Sequence, residues 1–149
     1  MTNSLHLPAR PDAPIVCDMS SAKDTPEERL REYGRLFETA LLRRVRRADS
    51  VSFWFRADPG TREALEQLAR RESACCPFLD YRVEPAGDEL IWTTTNVVTG
   101  EEHAAIDVFL DALHALPDHP GSDIAELYSR LAERDVHVVE NGERIELRR

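Results

Sequence analysis

The chain has 149 residues and a formal net charge of −9, with 42% hydrophobic and 32% charged residues. This length suits one domain that buries a core without disulfide support. The negative charge argues against general binding to nucleic acids or to anionic membrane surfaces, because both depend on Lys and Arg. No apolar run has the length of a signal peptide or a membrane span, so we expect a cytoplasmic protein whose three cysteines are free thiols.

The first third of the chain is predicted to hold one strand and one long helix. Residues 1–14 contain three prolines and no regular pattern, which predicts a flexible lead-in, and Ile15-Val16-Cys17 predicts the first strand. Thr25-Pro26-Glu27-Glu28 is typical of a helix start with a capping box and Pro at the first helical position. Apolar residues at helical spacing extend the predicted helix to Arg47, with the basic run Arg43–Arg47 as its solvated last turn.

The middle of the chain is predicted to hold three strands and two helices. Alternating apolar residues predict a half-buried strand over residues 51–56, followed by a turn and a second helix that carries the cysteine pair. Two further strands are predicted over 81–84 and 89–94, and a third helix over 101–116. This order indicates an α/β (α+β) fold, with a mixed sheet and helices mainly on one face. The core domain is predicted to span residues 15–117.

Residues 118–149 are predicted to form an appendage of one helix and one hairpin. The helix would begin at Ser122 or Asp123 and end near Glu133. Asn141-Gly142 is a strong hairpin signal, and pairing across it would set Val138 opposite Ile145 and Val136 opposite Leu147. The hairpin could extend the main sheet or pack on a neighbouring subunit, which makes a homodimer through this segment one prediction.

The segment Glu72-Ser73-Ala74-Cys75-Cys76-Pro77-Phe78 concentrates the reactive side chains of the chain. Glu72 falls on the buried stripe of the second helix, and both cysteines neighbour it at helical spacing. A buried carboxylate requires a partner or a proton. Glu72 and Cys76 are therefore candidate catalytic residues, whereas the alternative interpretation pairs Glu72 with an arginine such as Arg56 or Arg82 and treats the cysteines as small core residues.

Cys17, Cys75 and Cys76 are the candidate metal ligands, since thiolates prefer soft ions such as Hg(II), Cu(I) or Zn(II). The spacing of structural zinc sites is missing, which argues against such a site. In a right-handed strand–helix–strand unit Cys17 would lie at the opposite end of the sheet from the cysteine pair, so convergence requires antiparallel strands or an oblique helix. Cys76-Pro77 also matches a dipeptide of haem-responsive proteins, and His103 could approach the site.

The stretch Arg71-Glu72-Ser73-Ala74-Cys75-Cys76-Pro77-Phe78-Leu79-Asp80-Tyr81 resembles a motif of small, poorly characterised actinobacterial proteins. In this motif a Glu is followed after two residues by Cys-Cys, then by a small residue or Pro, and then by an aromatic. Ile15-Val16-Cys17 resembles a second cysteine element of the same proteins. The resemblance covers about residues 15–116 and implies an association with mercury-responsive regulators and heavy-metal resistance.

Three hypotheses about function follow from these residues. The first is a soft-metal or organometal protein, with Hg(II)-like ions or a small thiol-reactive ligand as its partner. The second is a non-catalytic homo-oligomeric interaction domain with structural cysteines. The third is a cysteine-based redox sensor, thiol enzyme or haem-binding protein. Whether the protein is an enzyme stays open at this point.

Overall fold

The computed structural model describes residues 4–10, 12, 13, 16–98, 103–118, 133, 137–140, 143 and 144. Within these residues the chain forms three helices: α1 (Pro26–Ala40), α2 (Thr61–Cys75) and α3 (His103–Ala115). The described strands are β1 (Leu5–Leu7), β2 (Val16–Asp18), β3 (Leu41–Arg46), β4 (Ser50–Arg56), β5 (Leu79–Ala86), β6 (Glu89–Asn96), β7 (His137–Glu140) and β8 (Glu143–Arg144). The architecture is α+β, as predicted.

The main sheet has five strands in the order β1-β5-β6-β4-β3, and each neighbouring pair is antiparallel. Alternate residues of β6 are buried, including Leu90, Trp92 and Thr94, as expected where a sheet covers the core with one face. Leu65 of α2 and Leu110 of α3 are buried in the same core. The helices therefore lie beside the sheet.

A second sheet joins the two ends of the chain in the order β2-β7-β8. β2 pairs in parallel with β7, with Cys17 opposite Val138, and β7 pairs antiparallel with β8. The pairs Val139–Arg144 and Glu140–Glu143 have the register predicted for the hairpin. In the described residues the hairpin strands belong to this second sheet and not to the main sheet. Parallel and antiparallel pairing therefore occur together in the second sheet. Residues 122–132 of the predicted helix, with Val136, Ile145 and Leu147, lie outside the described residues.

The lead-in prediction is wrong for residues 5–7. These residues form β1, an edge strand of the main sheet, with Leu5 opposite Val83. His6 Nε2 lies 2.7 Å from Asp80 Oδ1 at this edge. Three residues are too few to show the alternation that predicts a strand. They form a strand because they pair with β5.

The start of α1 is predicted correctly and its end is wrong. Thr25 forms the predicted capping box with Glu28, but the helix ends at Ala40 and Leu41 is already extended. The basic run is therefore a strand: β3 pairs with β4 at the sheet edge, and the Arg43 guanidinium lies 4.9 Å from the centre of the Trp54 ring. Pairing with β4 here outweighs the helical preference of Leu and Arg, because intrinsic propensity is a weaker determinant than tertiary context.

Candidate functional site

Cys17 and Cys76 form a disulfide, with their Cα atoms 4.5 Å apart. This separation lies in the ordinary range for bonded cysteines. Both residues are buried. The structure thus brings the N-terminal cysteine to the cysteine pair, and the expectation that all three cysteines are free thiols is wrong.

The two cysteines meet because β2 does not belong to the main sheet. The predicted separation of Cys17 from the cysteine pair applies to a strand that belongs to the same sheet as the strand after α1. Instead, β2 pairs with β7 in the second sheet. At the other side, Cys76 is the first residue beyond α2, with φ −123° and ψ 68°. Its backbone N–H still donates to the carbonyl of Glu72 at 2.7 Å. Because α2 ends between them, Cys75 and Cys76 have different backbone conformations and their sulfurs have different partners.

Cys75 is the free thiol of the site. It is the last residue of α2 and is buried, and its sulfur accepts a hydrogen bond from Arg29 Nη1 at 3.4 Å. Burial raises the pKa of the Cys75 thiol, and the Arg29 guanidinium opposes this shift only in part. The thiol is thus protonated at neutral pH and a weak nucleophile.

Arg29 is a buried cation that links α1 to α2. It is 4% exposed, and it contacts two carboxylates as well as the Cys75 sulfur. Its Nε and Nη2 donate to both oxygens of Asp24 at 2.8 and 2.7 Å, and Nη1 donates to Glu72 Oε1 at 2.8 Å. Burial alone would lower the pKa of Arg29, but Asp24 and Glu72 raise it above its ordinary value. The guanidinium stays charged and is held from two sides.

Asp24 connects this cation to the segment that follows Cys17. The hydrogen bonds from Arg29 lower the pKa of Asp24 below its ordinary value. Asp24 also accepts a hydrogen bond from Arg71 Nη1 at 3.0 Å. We call Asp24, Arg29, Glu72 and Cys75 the Arg29 cluster.

Glu72 lies on the buried stripe of α2, as the spacing predicted. Its arginine partner is neither of the two proposed from sequence. Arg56 pairs with Asp58 and Arg82 with Asp80. The partner is Arg29, which is 43 residues away in sequence.

Two buried phenols adjoin the cluster. The hydroxyls of Tyr33 and Tyr81 have no hydrogen-bond partner among the described residues. Burial raises the pKa of both tyrosines well above its ordinary value, and the Glu72 carboxylate raises it further. Both rings pack edge-on against Trp92, with centroids 6.0 and 5.9 Å from its ring. The two phenols remain protonated next to the Arg29 cluster.

The predicted metal ligands do not form a cluster of three or more donors. Within the part of the chain that the structure describes, no group of three or more His, Cys, Asp or Glu side chains is arranged to hold a metal ion. His103 pairs with Asp49 at 2.9 Å and takes no part in the cysteine site.

Sequence reasoning missed Arg29, although a signal for it existed. The buried side of α1 is Arg29, Tyr33, Leu36 and Ala40, at helical spacing. The argument that placed Glu72 on a buried stripe applies equally to Arg29. A buried cation and a buried carboxylate on two helices predict each other as partners.

Comparisons of this chain with protein-family models, with curated proteins and with solved structures found no match. Among the described residues, no helix combines the length and the apolar character needed to cross a bilayer.

Proposed function

We propose that this protein is a thiol–disulfide redox protein whose working unit is the Cys17–Cys76 pair. The observation that carries the proposal is that these two cysteines, 59 residues apart, are bonded while Cys75, adjacent to one of them, is kept as a thiol. In a reducing compartment, disulfides are mostly transient, catalytic or redox-sensing. If the chain is cytoplasmic, as its sequence predicts, a bonded pair there supports a redox role.

Reduction of this pair follows ordinary thiol–disulfide exchange. A thiolate of the glutathione class attacks one sulfur and releases the other as a thiolate, which takes up a proton. A second thiolate then attacks the sulfur of the bound low-molecular-weight thiol and releases the remaining cysteine as a thiolate, which also takes up a proton. Two low-molecular-weight thiols are thereby oxidised to a disulfide while Cys17 and Cys76 are reduced. Both cysteines are buried, so the attack requires a local opening that exposes one of the two sulfurs. This favours a sensor over a rapid oxidoreductase.

Glu72 has a supporting role in this proposal. Its Oε1 accepts from Arg29, and its backbone carbonyl accepts from the N–H of Cys76. Glu72 therefore contacts Arg29, which binds the Cys75 sulfur, and Cys76, whose sulfur undergoes the exchange. We assign it the positioning of these groups.

The test is an equilibrium titration in glutathione buffers, with the thiol state read by mass spectrometry after alkylation. We expect Cys17 and Cys76 to titrate together as a two-electron couple between about −320 and −180 mV, the range of cellular redox poise. Cys75→Ser is the matched control and should keep the couple, whereas Cys17→Ser, which removes the shared partner of both possible bonds, should abolish it. A pair that stays bonded throughout is a structural disulfide, and a pair that never bonds is not a redox couple; either result overturns the proposal.

Soft-metal binding by the reduced pair is the second candidate function, and the close approach of Cys17 and Cys76 favours it. Two thiols that meet closely enough to bond can also chelate a soft ion such as Hg(II) through two sulfurs. Cys75 is the less favoured ligand, because an Arg29 N–H already contacts its sulfur. Glu72 is likewise engaged by Arg29.

Titration of the fully reduced protein with Hg(II), in competition with a dithiol chelator, tests this candidate. We expect one ion per chain and loss of binding in Cys17→Ser and in Cys76→Ser. Cys75→Ser is again the control and should bind as the wild type does. Equal weakening in all three variants would contradict a two-sulfur site formed by Cys17 and Cys76.

A further inference from the structure

We infer that Arg29 is the specificity-determining residue that selects Cys76, rather than the adjacent Cys75, as the disulfide partner of Cys17. The inference rests on the proposed redox function and names a residue that this function requires. Arg29 touches neither Cys17 nor Cys76 in the described contacts. It is a positioning residue that acts through Cys75.

The selection is needed because both cysteines lie near Cys17. The Cα atoms of Cys17 and Cys76 are 4.5 Å apart, and one residue step is about 3.8 Å, so the Cα of Cys75 lies at most about 8.3 Å from that of Cys17. Bonded cysteines usually have Cα atoms up to about 6.8 Å apart. The alternative bond therefore requires the Cα atoms of Cys17 and Cys75 to approach by at most about 1.5 Å.

The competing reaction is an isomerisation without net oxidation. The Cys75 thiol loses its proton, and its sulfur attacks the Cys17 sulfur. The bond between Cys17 and Cys76 breaks, and the Cys76 sulfur takes up the proton. The products are a Cys17–Cys75 disulfide and a Cys76 thiol, so the equilibrium depends on how well the fold accommodates each disulfide and on which sulfur is better stabilised as a free thiol.

Arg29 stabilises Cys75 as the free thiol. Its Nη1 donates to the Cys75 sulfur at 3.4 Å, and a sulfur committed to a disulfide is a poorer acceptor that must also turn towards Cys17. The guanidinium cannot follow it easily, because Asp24 binds Nε and Nη2 and Glu72 binds Nη1. The fixed donor thus favours the isomer in which Cys75 is free.

The experiment measures the ratio of the two disulfide isomers after equilibration in a glutathione buffer, by peptide mapping of the alkylated protein. The wild type should contain the Cys17–Cys76 isomer almost alone. Arg29→Met removes the donors but keeps much of the apolar bulk, and we expect the isomer ratio to shift towards Cys17–Cys75 by about tenfold or more, as the loss of a hydrogen bond from a charged donor implies. Arg29→Lys retains a cation and should restore part of the selection.

Arg71→Met is the matched control, because Arg71 also binds Asp24 and contacts neither cysteine in the described structure. It should leave the ratio unchanged. An Arg29→Met ratio equal to the wild-type ratio would overturn the inference. If Arg29→Met does not fold, Asp24→Asn decides: it loosens the guanidinium, and an unchanged ratio in that folded variant overturns the inference as well.

The two proposals fail in different ways. If wild-type Cys17 and Cys76 do not titrate within the cellular range, the redox function fails. The isomer ratio is still measurable after complete oxidation with a chemical oxidant. A normal wild-type couple with an isomer ratio indifferent to Arg29 would leave the redox function standing and remove the role of Arg29.

Discussion

The protein contains two groups of arginine–carboxylate pairs that have similar distances and different surroundings. In the Arg29 cluster the side chain of Arg29 is 5% exposed, and its partners Asp24 and Glu72 are 15% and 12% exposed. On the edge strand β3, the side chain of Arg44 is 23% exposed and its partner Asp118 60% exposed, with a separation of 2.6 Å. Judged by the distances between charged atoms alone, the two groups would be expected to stabilise the protein equally.

Because of the difference in burial, the two groups are expected to contribute differently to the free energy of unfolding. Solvent screens the surface pair, and such pairs contribute about 0–1 kcal/mol to stability. Removing one member of a buried pair leaves an uncompensated charge, which costs about 3–5 kcal/mol. The surface arginines are conspicuous in the sequence as a basic run, whereas the buried Arg29 is a single residue near the start of α1, directly after two glutamates.

The largest effect is expected for Arg29→Met. It leaves the carboxylates of Asp24 and Glu72 without their main cation, and we expect the free energy of unfolding to fall by about 3–5 kcal/mol. Urea denaturation measures it, with Arg44→Met on β3 as the matched control. A loss no larger than that of the control would show that burial does not separate the two groups.

The second effect concerns the disulfide that lies beside the cluster. Cys17→Ser opens a loop of 59 residues in the unfolded chain, and we expect a loss of about 2–4 kcal/mol under oxidising conditions. Under reducing conditions the wild type and the variant should differ much less, and comparing the two conditions by denaturation isolates the bond. Equal differences in both conditions would assign the loss to packing of Cys17.

A pH series tests the charge on Asp24. Its pKa is lowered in the folded protein from an ordinary value of 3.8, so the stabilisation is complete well above that value and is lost as the pH falls through the folded pKa. Asp24→Asn should cost about 1–2 kcal/mol at pH 7, discounted for partial solvent contact, and progressively less below pH about 4. A difference that is constant with pH would mean that the carboxylate charge is not the cause.

The smallest effect is expected on β3. Arg44→Met removes the ion pair with Asp118, and we expect a change within about 0.5 kcal/mol that shrinks further in high salt. Denaturation at low and high ionic strength measures it. A large, salt-independent loss would indicate that the edge of the sheet contributes to stability as the buried cluster does.

Much of the fold was predictable because its local signals are strong. The capping box at Thr25, the alternating strand β4 and the register between β7 and β8 each follow from a few neighbouring residues. The position of Glu72 followed from the helical period alone. These features depend on propensity and periodicity, which the sequence expresses directly.

The errors share a physical cause, which is pairing between distant segments. The change from α1 to β3 at Leu41 depends on hydrogen bonds to β4, and β1 depends on β5. The disulfide depends on β2 leaving the main sheet to pair with a strand about 120 residues later in the chain. None of these contacts has a local signature.

The sequence by itself determined that a carboxylate lies on a buried stripe of α2 next to two cysteines, because helical spacing fixes which residues share a face. Only the tertiary structure decided what each of them contacts. The long side chain of Arg29 on α1 reaches Glu72 and Cys75 on α2, and Cys17 lies at Cys76 because its strand belongs to the second sheet. Spacing along one helix is a local property, whereas the choice between two adjacent cysteines depends on elements that are far apart in the chain.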